Sequence, residues 1–417
     1  MAKNFKNNYD KTGDSIALEQ SVFVVLETVK GTFAAPTDSD FVFSIAGSAV
    51  THTQPVTSSP HRSGRHNTDT YAEKKSTEWE LPTFINIDTA APGGDTARDA
   101  GVAVLWKSLL GNQTDSAGVS SIFESSVDPD ITFSFYENGD IWSQQVRGSF
   151  VESLNLNAPG DGQAQANWSG AGADRVRVGI GKFTSDSNTT NIITLVSVTE
   201  AKRFPVGAQV MIIEDDGLVR SADTPNGSYR TVTATNIATG AVTLDGAVLA
   251  DADGTTGTGF YLAYAEPASP TGISNIQTGL VGSIAIDGLG GTVACVRNFD
   301  LTLNNNHERV SYCYGSDGLS TPFFVPGDRL SVELSVEMNL NHPTLEWLYD
   351  LDQFTSQDID FILGDVATRH LKIDLPKITF NIPSTTVPES GSIPFSAEGI
   401  GYQTNLGSAN EVTVSYL

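Results

Sequence analysis

Residues 329–338 read RLSVELSVEM and alternate strictly between polar and apolar side chains. The even positions are Leu, Val or Met, and the odd positions are Arg, Ser or Glu. A period of two is typical of a strand with one buried face and one solvated face. The run NFDLTLN, residues 298–304, has the same pattern. Together the two runs predict a sheet with an apolar side, which a helix can cover, and a polar side in water.

The elements around these strands occur twice in the chain. Residues 40–172 give a strand-like run, a long polar stretch, the strand 77–86, a short amphipathic helix at 101–111 and closing strands. The same order returns from about residue 272, with the second helix in HPTLEWLYDLDQF, residues 342–354. Sequence identity between the copies is low, so it is the order of elements that predicts a duplicated fold.

Residues 176–267 have a different sequence pattern, in which short β-strand-like runs are separated by turns rich in Gly and Asn. Five such runs are typical of a small five-stranded barrel. The flanks SGAGAD (169–174) and PASPTGISN (267–275) resemble linkers. Because surface insertions are well tolerated, we expect this domain to lie on the outside and to be dispensable.

The predicted class is mainly β (α+β), with two β-sandwich or barrel domains that each carry one short helix, plus a small inserted β-barrel. The expected parts are a flexible N-terminal arm (1–20), a first domain (21–175), the inserted domain (176–267) and a second domain (272–417). Within the first domain, residues 51–76 lack an apolar period and predict a long loop or hairpin.

The 417 residues carry a net charge of −25, with a pI near 4.4. Such a surface repels nucleic acid and anionic membranes, although it does not exclude a role in which nucleic acid passes without adhering. The N-terminal residues are polar and no apolar run of about 18 residues occurs, so we expect no membrane span. The two cysteines form no CxxC pair, which is compatible with a cytoplasm.

Motifs of catalysis are missing from the sequence. There is no GxSxG nucleophile elbow and no HExxH, and the Gly-Lys at 181–182 lacks the rest of a phosphate-binding loop. Asp245, Asp251 and Asp253 could offer oxygens to Ca²⁺, but they lack the 12-residue loop pattern. We predict no catalytic residues, no metal and no cofactor.

Several stretches resemble the major tail tube proteins of long-tailed bacteriophages. In the first copy they are 76–86 (STEWELPTFIN), 104–111 (VLWKSLLG) and 131–172, which begins ITFSFYENGD. In the second they are 332–351 (VELSVEMNLNHPTLEWLYDL) and 377–402 (KITFNIPSTTVPESGSIPFSAEGIGY). The order of elements carries the resemblance, which covers about 40–172 and 272–417 and leaves out the inserted domain.

The resemblance implies a structural protein of the virion tail, assembled in the host cytoplasm. Members of this family form rings whose inner sheets join into one barrel, and the rings stack into a tube for genome ejection. The long loop reaches the neighbouring ring, and an acidic lumen lets double-stranded DNA slide. The implied partners are further copies of the chain and the tail terminator, tape measure and distal tail proteins. Two copies in one chain predict a homotrimeric, pseudo-hexameric ring.

Two groups of residues follow as candidate sites. The polar strand faces are expected to line the lumen through Glu78, Glu80, Asp300, Glu333, Glu337 and Asp374. Residues 51–76 are expected to be disordered in the free subunit and to meet the next ring through Arg62, Arg65, Lys74 and Lys75.

Two other classes of function remain open at this point. A phage adhesin or baseplate-type binding protein would make use of the inserted barrel. A glycosidase would use a carboxylate pair, such as Glu78 with Glu80 or Glu333 with Glu337. A solvated strand face explains those pairs more simply.

Overall fold

The computed structural model describes residues 3–417 apart from a set of short segments. Those segments are 12–19, 46–48, 59–61, 64–65, 68–69, 73–74, 88–99, 117–119, 127–128, 190, 215–227, 248–258, 268–274, 287–295, 311–322, 327–328, 366–368, 384, 386 and 406–409.

The N-terminal half contains two helices and fifteen strands within the described residues. They are α1 (Phe5–Tyr9), β1 (Ser21–Leu26), β2 (Phe41–Val42), β3 (Ala49–Thr53), β4 (Val56–Ser58), β5 (Arg62–Ser63), β6 (His66–Asn67), β7 (Thr70–Ala72), β8 (Ser76–Phe84), β9 (Asn86–Ile87), α2 (Ala100–Leu110), β10 (Gly111–Ser116), β11 (Ser120–Ser125), β12 (Phe133–Asn138), β13 (Ser143–Pro159), β14 (Gln165–Gly172) and β15 (Asp174–Val178).

The remaining elements form the inserted barrel and then the second half. The barrel strands are β16 (Gly181–Thr189), β17 (Ile192–Leu195), β18 (Gln209–Ile213), β19 (Arg230–Asn236), β20 (Ala241–Leu244) and β21 (Gly259–Tyr264). The second half has β22 (Asn275–Ile276), β23 (Ser283–Ile286), β24 (Val296–Asn304), β25 (His307–Val310), β26 (Phe323–Pro326), β27 (Ser331–Asn339), α3 (His342–Asp352), β28 (Gln357–Asp365), β29 (Arg369–Phe380), β30 (Pro394–Gly401) and β31 (Thr413–Tyr416).

Both halves pair their strands in the same antiparallel order, as the repeated pattern predicts. One layer runs β3–β8–β14–β13 in the first half and β24–β27–β30–β29 in the second. The other layer runs β1–β12–β13–β15 and β23–β28–β29–β31. The long strands β13 and β29 cross between layers, so each half is a sandwich joined through one shared strand.

Equivalent glycines show the same packing constraint in the two copies. A Cβ on Gly170 would lie 2.0 Å from the Phe150 carbonyl oxygen and 2.4 Å from the Trp79 ring. A Cβ on Gly399 would lie 2.6 Å from Ile378 and 2.8 Å from Phe380. Both strands therefore need glycine where the crossing strand and the core approach closely.

Each short helix covers the apolar side of its sheet with a buried tryptophan. Trp106 of α2 packs edge-on against Trp168 at 4.9 Å, and Trp347 of α3 packs against Phe380 at 5.3 Å. The start of α3 is set by Asn341, whose side chain accepts a hydrogen bond from the Thr344 N–H. Of the helices in the described part of the chain, none has the length and apolarity to cross a membrane.

The halves join through the last part of β13 and the whole of β24. Leu154 lies opposite Leu303 and Leu156 opposite Leu301, and all four side chains are buried. The result is one antiparallel sheet in the order β3–β8–β14–β13–β24–β27–β30–β29, which we call the wall sheet.

The inserted domain is a closed barrel of six strands, in the order β16–β17–β20–β19–β18–β21. The class of this domain is confirmed, but the expected number of strands was five. The missed strand is β16, whose sequence GKFTSDSNT has no apolar period. The expected boundary at residue 176 falls inside β15, which pairs with β13 and so belongs to the first half.

The N-terminal residues 3–11 are not a flexible arm. They contain α1, whose Phe5 is buried against Tyr264 of the barrel at 5.4 Å. Lys3 forms an ion pair with Glu266 at 3.1 Å, and Lys11 pairs with the buried carboxylate of Asp140. The segment packs onto the inserted barrel because its apolar positions match the aromatic surface there.

The described residues of 51–76 pair as a hairpin, which is one of the two forms that the sequence predicted, and the disorder expected in the free subunit stays a prediction. β3 pairs with β8, then β4 with β7, then β5 with β6, so the described residues form three successive stretches of a two-stranded arm. The second half has a matching hairpin, β25 with β26, between β24 and β27. Since β3 and β24 point the same way in the wall sheet, both hairpin arms leave from the same end of it.

Candidate assembly surface: the acidic face of the wall sheet

The polar face of the wall sheet collects five of the six acids that were expected to share a surface. Glu78 and Glu80 lie on β8, Asp300 on β24, and Glu333 and Glu337 on β27. Their neighbours along the strands, such as Trp79, Leu301 and Leu334, are buried on the other face. Strict alternation therefore places these carboxylates together although they are far apart in the chain.

Asp374 does not belong to this face, which corrects the sequence-based expectation. It lies opposite Asp360 and Thr413 in the other layer, because β29 has not yet crossed into the wall sheet at that point. Lys372 lies 2.8 Å from Asp360 and 3.6 Å from Asp374. Burial raises the pKa of Asp374, while the charge of Lys372 opposes that rise. Asp358 brings a third carboxylate oxygen within 4.8 Å of the other two.

Two further acids lie on the polar face and were missed. Glu398 on β30 is exposed opposite Ser335, and Glu152 is exposed at the bulge of β13 near Glu78. Partial burial of its carboxyl raises the pKa of Glu152, and the charge of Glu78 raises that pKa further. The alternation in PFSAEGIG would have identified Glu398. Glu152 lies at a β-bulge that shifts the alternation of β13, and the sequence does not predict that bulge.

Within the described residues, acidic side chains outnumber basic ones on the polar face of the wall sheet. The seven acids are Glu78, Glu80, Glu152, Asp300, Glu333, Glu337 and Glu398, and the two bases are Arg297 and Lys377. Arg297 pairs with Glu337 at 3.0 Å, and Lys377 lies over the Tyr402 ring at 4.7 Å. An exposed ion pair of this kind neutralises charge locally but contributes little stability. The face as a whole remains anionic.

At the centre of the face, side-chain amides rather than cations contact Asp300. The Asn155 side-chain N–H donates to Asp300 at 2.8 Å and to Thr302 at 3.1 Å. Asn157 donates to the other oxygen of Asp300 at 3.2 Å. These bonds cross the junction between β13 and β24, so they bind the two halves together and leave the negative charge in place.

The polar face is an open, exposed surface. Glu333 and Glu337 are separated by two strand repeats on an exposed surface, and Glu337 already has Arg297 as its partner. A shallow depression of about 380 Å³ on this surface is lined by residues such as Asp300, Glu333 and Glu398.

Two of the four basic residues expected to meet the next ring lie in the described part of the hairpin arm. Arg62 belongs to β5, opposite Asn67, and Lys75 comes directly before β8. Arg65 and Lys74 lie outside the described residues, as do Asp251 and Asp253 of the acidic run in the barrel domain.

Within the described residues, the wall sheet has two outer edges. β3 pairs along its length only with β8, and the last residues of β29 pair only with β30. Open edges present unpaired backbone groups that another strand can complete.

No protein-family model matches the sequence, and no curated protein matches it by sequence. Among solved structures, one described as "Tail of empty GTA particle computed with helical refinement, C6 symmetry" is similar to part of this chain. The identity is 11 %, the TM-score is 0.23, and the match covers 29 % of this chain and 91 % of that chain. The likeness to this tail component is thus partial and weak.

Proposed function

We propose that this chain is the structural subunit of a bacteriophage-type tail tube, and that it acts by self-assembly and not by catalysis. The observation that supports this most strongly is the wall sheet. It has eight strands, one helix-covered apolar face, one acidic face and two open edges. A water-filled barrel needs a wall with these properties, and other copies of the chain would close its edges.

Strand arithmetic favours a ring of three chains. Three wall sheets give 24 strands, and at about 4.8 Å between strands the circumference is about 115 Å before tilt widens it. The backbone diameter is then about 37 Å, and inward side chains reduce it by about 10 Å. A duplex is roughly 20 Å across, a little over twice its major-groove depth, and fits. Two chains give a bore of about 14 Å, which is too narrow, and six give a backbone diameter of about 73 Å.

The acidic face would line this bore. Repulsion between the carboxylates and the phosphates keeps a passing duplex from adhering, so DNA moves through without specific contacts. The chain would act in the virion tail after assembly in the host cytoplasm. Its partners would be further copies of itself and tail terminator, tape measure and distal tail proteins.

Electron microscopy of the purified full-length chain tests the proposal. We expect long tubes, and rings whose mass in native mass spectrometry is that of three chains. Discrete particles that never polymerise would favour the adhesin or baseplate-type alternative, which the inserted barrel could serve. True six-fold chain symmetry in a cryo-EM map would show that one half has left the wall.

A further inference from the structure

The chain contains its own template for a contact between subunits. Inside the chain, β13 is the outer wall strand of the first half and pairs with β24, the first wall strand of the second half. β29 is equivalent to β13, and β3 is equivalent to β24, by their positions in the two identical strand orders. The two open edges, β29 and β3, are therefore equivalent to β13 and β24, which pair with each other inside the chain.

Within the described part of the chain, the segment that follows β29 has no strand partner at its outer side. Asn381 continues the ladder, since its N–H donates to the Glu398 carbonyl oxygen at 2.7 Å. Among residues 381–387 that the structure describes, the only further pairing is an isolated bridge between Thr385 and Phe395. The equivalent stretch of β13 is a strand throughout, with β14 on one side and β24 on the other.

Exposure of apolar side chains marks the same segment as incomplete. Ile382 is 55 % exposed and Val387 is 74 % exposed. Ile382 corresponds to Leu154, which is fully buried, and Val387 corresponds to Ala158, which is 4 % exposed. In the first half β24 flanks Leu154 and Ala158, whereas no strand in the described chain flanks their counterparts on that side.

We propose that residues 381–387 become a wall strand only when β3 of a second copy of this chain pairs with them. This proposal rests on the proposed ring and specifies its junction. The register follows from the internal template, in which Ser153 lies opposite Asn304. Asn381 is equivalent to Ser153, because Asn381 bonds Glu398, Ser153 pairs with Ser169, and those two partners hold the same place in β30 and β14. Thr53 is equivalent to Asn304, because Thr53 pairs with Ser76, Asn304 pairs with Ser331, and those two partners hold the same place in β8 and β27. Asn381 of one copy therefore lies opposite Thr53 of the next, and Ile382 lies opposite His52.

Pro383 and Pro388 suit such a conditional strand. Proline withholds a ladder donor, so it disfavours pairing of the free edge with unrelated strands, and in the assembled wall each proline must lie at a bulge or where no ladder bond needs its nitrogen. One extra residue between Ile382 and Thr385, relative to β13, requires a bulge in the new strand.

Site-specific cross-linking tests the register. In a Cys295→Ser, Cys313→Ser background, Asn381→Cys is combined with Thr53→Cys. Opposed residues in an antiparallel pair have Cα atoms about 4.5–5.5 Å apart, which a disulfide spans. We expect oxidised assemblies to give covalent trimers on a non-reducing gel. Pairing Asn381→Cys with Thr51→Cys, two residues out of register on the same face, is expected to give at least tenfold less. Ser153→Cys with Asn304→Cys serves as the intrachain control.

A charged substitution at Ile382 tests whether this side chain becomes buried at the junction between subunits. Ile382→Asp is expected to abolish tubes and leave monomers with the thermal midpoint of the wild type, because the carboxylate would have to enter the junction. Ile237→Asp is the matched control: Ile237 is 51 % exposed on the barrel, and this variant is expected to assemble normally.

The two proposals fail in different ways. If wild-type tubes form but the Asn381–Thr53 pair yields no covalent trimers, or if Ile382→Asp assembles as the wild type does, the junction is wrong and the tube function stands. If the wild-type chain forms neither rings nor tubes, the proposed function fails and the junction fails with it.

Discussion

The indole N–H of Trp106 donates a hydrogen bond of 3.0 Å to the hydroxyl of Tyr416, 310 positions later in the chain. Trp106 lies on α2 of the first half, and Tyr416 lies on the last strand of the second half. Both side chains are buried in one hydrophobic core that includes residues of both halves. The duplicated halves are thus packed as one body rather than joined as independent domains.

Tyr416→Phe should destabilise this shared core. The substitution keeps the ring but leaves the buried indole N–H of Trp106 without its acceptor, which costs about 1–3 kcal/mol. The midpoint of urea unfolding should fall accordingly. Tyr402→Phe is the control, because the Tyr402 hydroxyl bonds Thr379 at a partly exposed site and its loss should change the midpoint little. Equal midpoints for both variants would contradict the role of the buried bond.

The inserted barrel should be removable, but only at the boundary that the structure defines. Joining Val178 to Pro267 through a short linker keeps β15 on β13 and should still yield tubes. Joining Ala173 to Gly272 also removes β15 and the pairing of Val146 with Arg175, so this variant should be poorly soluble. Electron microscopy and soluble yield distinguish the two. Failure of the first excision to assemble would mean that the barrel contributes to the wall.

Glu152→Gln should stabilise the subunit at neutral pH. Because the pKa of Glu152 is raised in the folded chain, the folded state holds that proton more tightly than the unfolded state. The stability contributed by the raised pKa is present below the unfolded pKa of about 4.3 and is lost as pH rises through the folded value. The variant's thermal midpoint should therefore exceed that of the wild type at pH 7 and converge with it near pH 3. Glu389→Gln, at an exposed bend, is the control: its thermal midpoint should equal that of the wild type at both pH values.

Removal of the hairpin arm should separate folding from stacking. Deleting 56–72 and closing the gap with a turn leaves β3 paired with β8, so the subunit should keep its unfolding midpoint. If the arm meets the acidic rim of the next ring, this variant should form no tubes, and wild-type stacking should weaken as salt is added. Sedimentation measures both effects. Normal tubes from the deletion variant would exclude the arm as a stacking contact.

Much of the acidic face could be predicted from residues alone. The alternation at 329–338 assigns Glu333 and Glu337 to the face opposite Leu334, because side chains on a strand alternate whatever the strand pairs with. The same rule placed Asp300, Glu78 and Glu80 correctly. The rule failed at Asp374. The period of a strand shows which side chains share one side of it, but it does not show in which layer of the sandwich that part of the strand lies.

Local pattern also failed where long-range packing supplies the stability. The residues of α1 form a single short turn of helix that would be marginal alone, and Phe5 is held by Tyr264 of the barrel. β16 carries no apolar period and is a strand because β17 and β21 pair with both of its sides.

By itself, then, the sequence determined the β class, the duplication and which side chains share a strand face, because these depend on period and order along the chain. Only the tertiary structure decided that β13 pairs with β24 and that Ile382 is left exposed beside an open edge. Which edges meet depends on the ends of sheets assembled from distant segments, and no local pattern encodes that relationship.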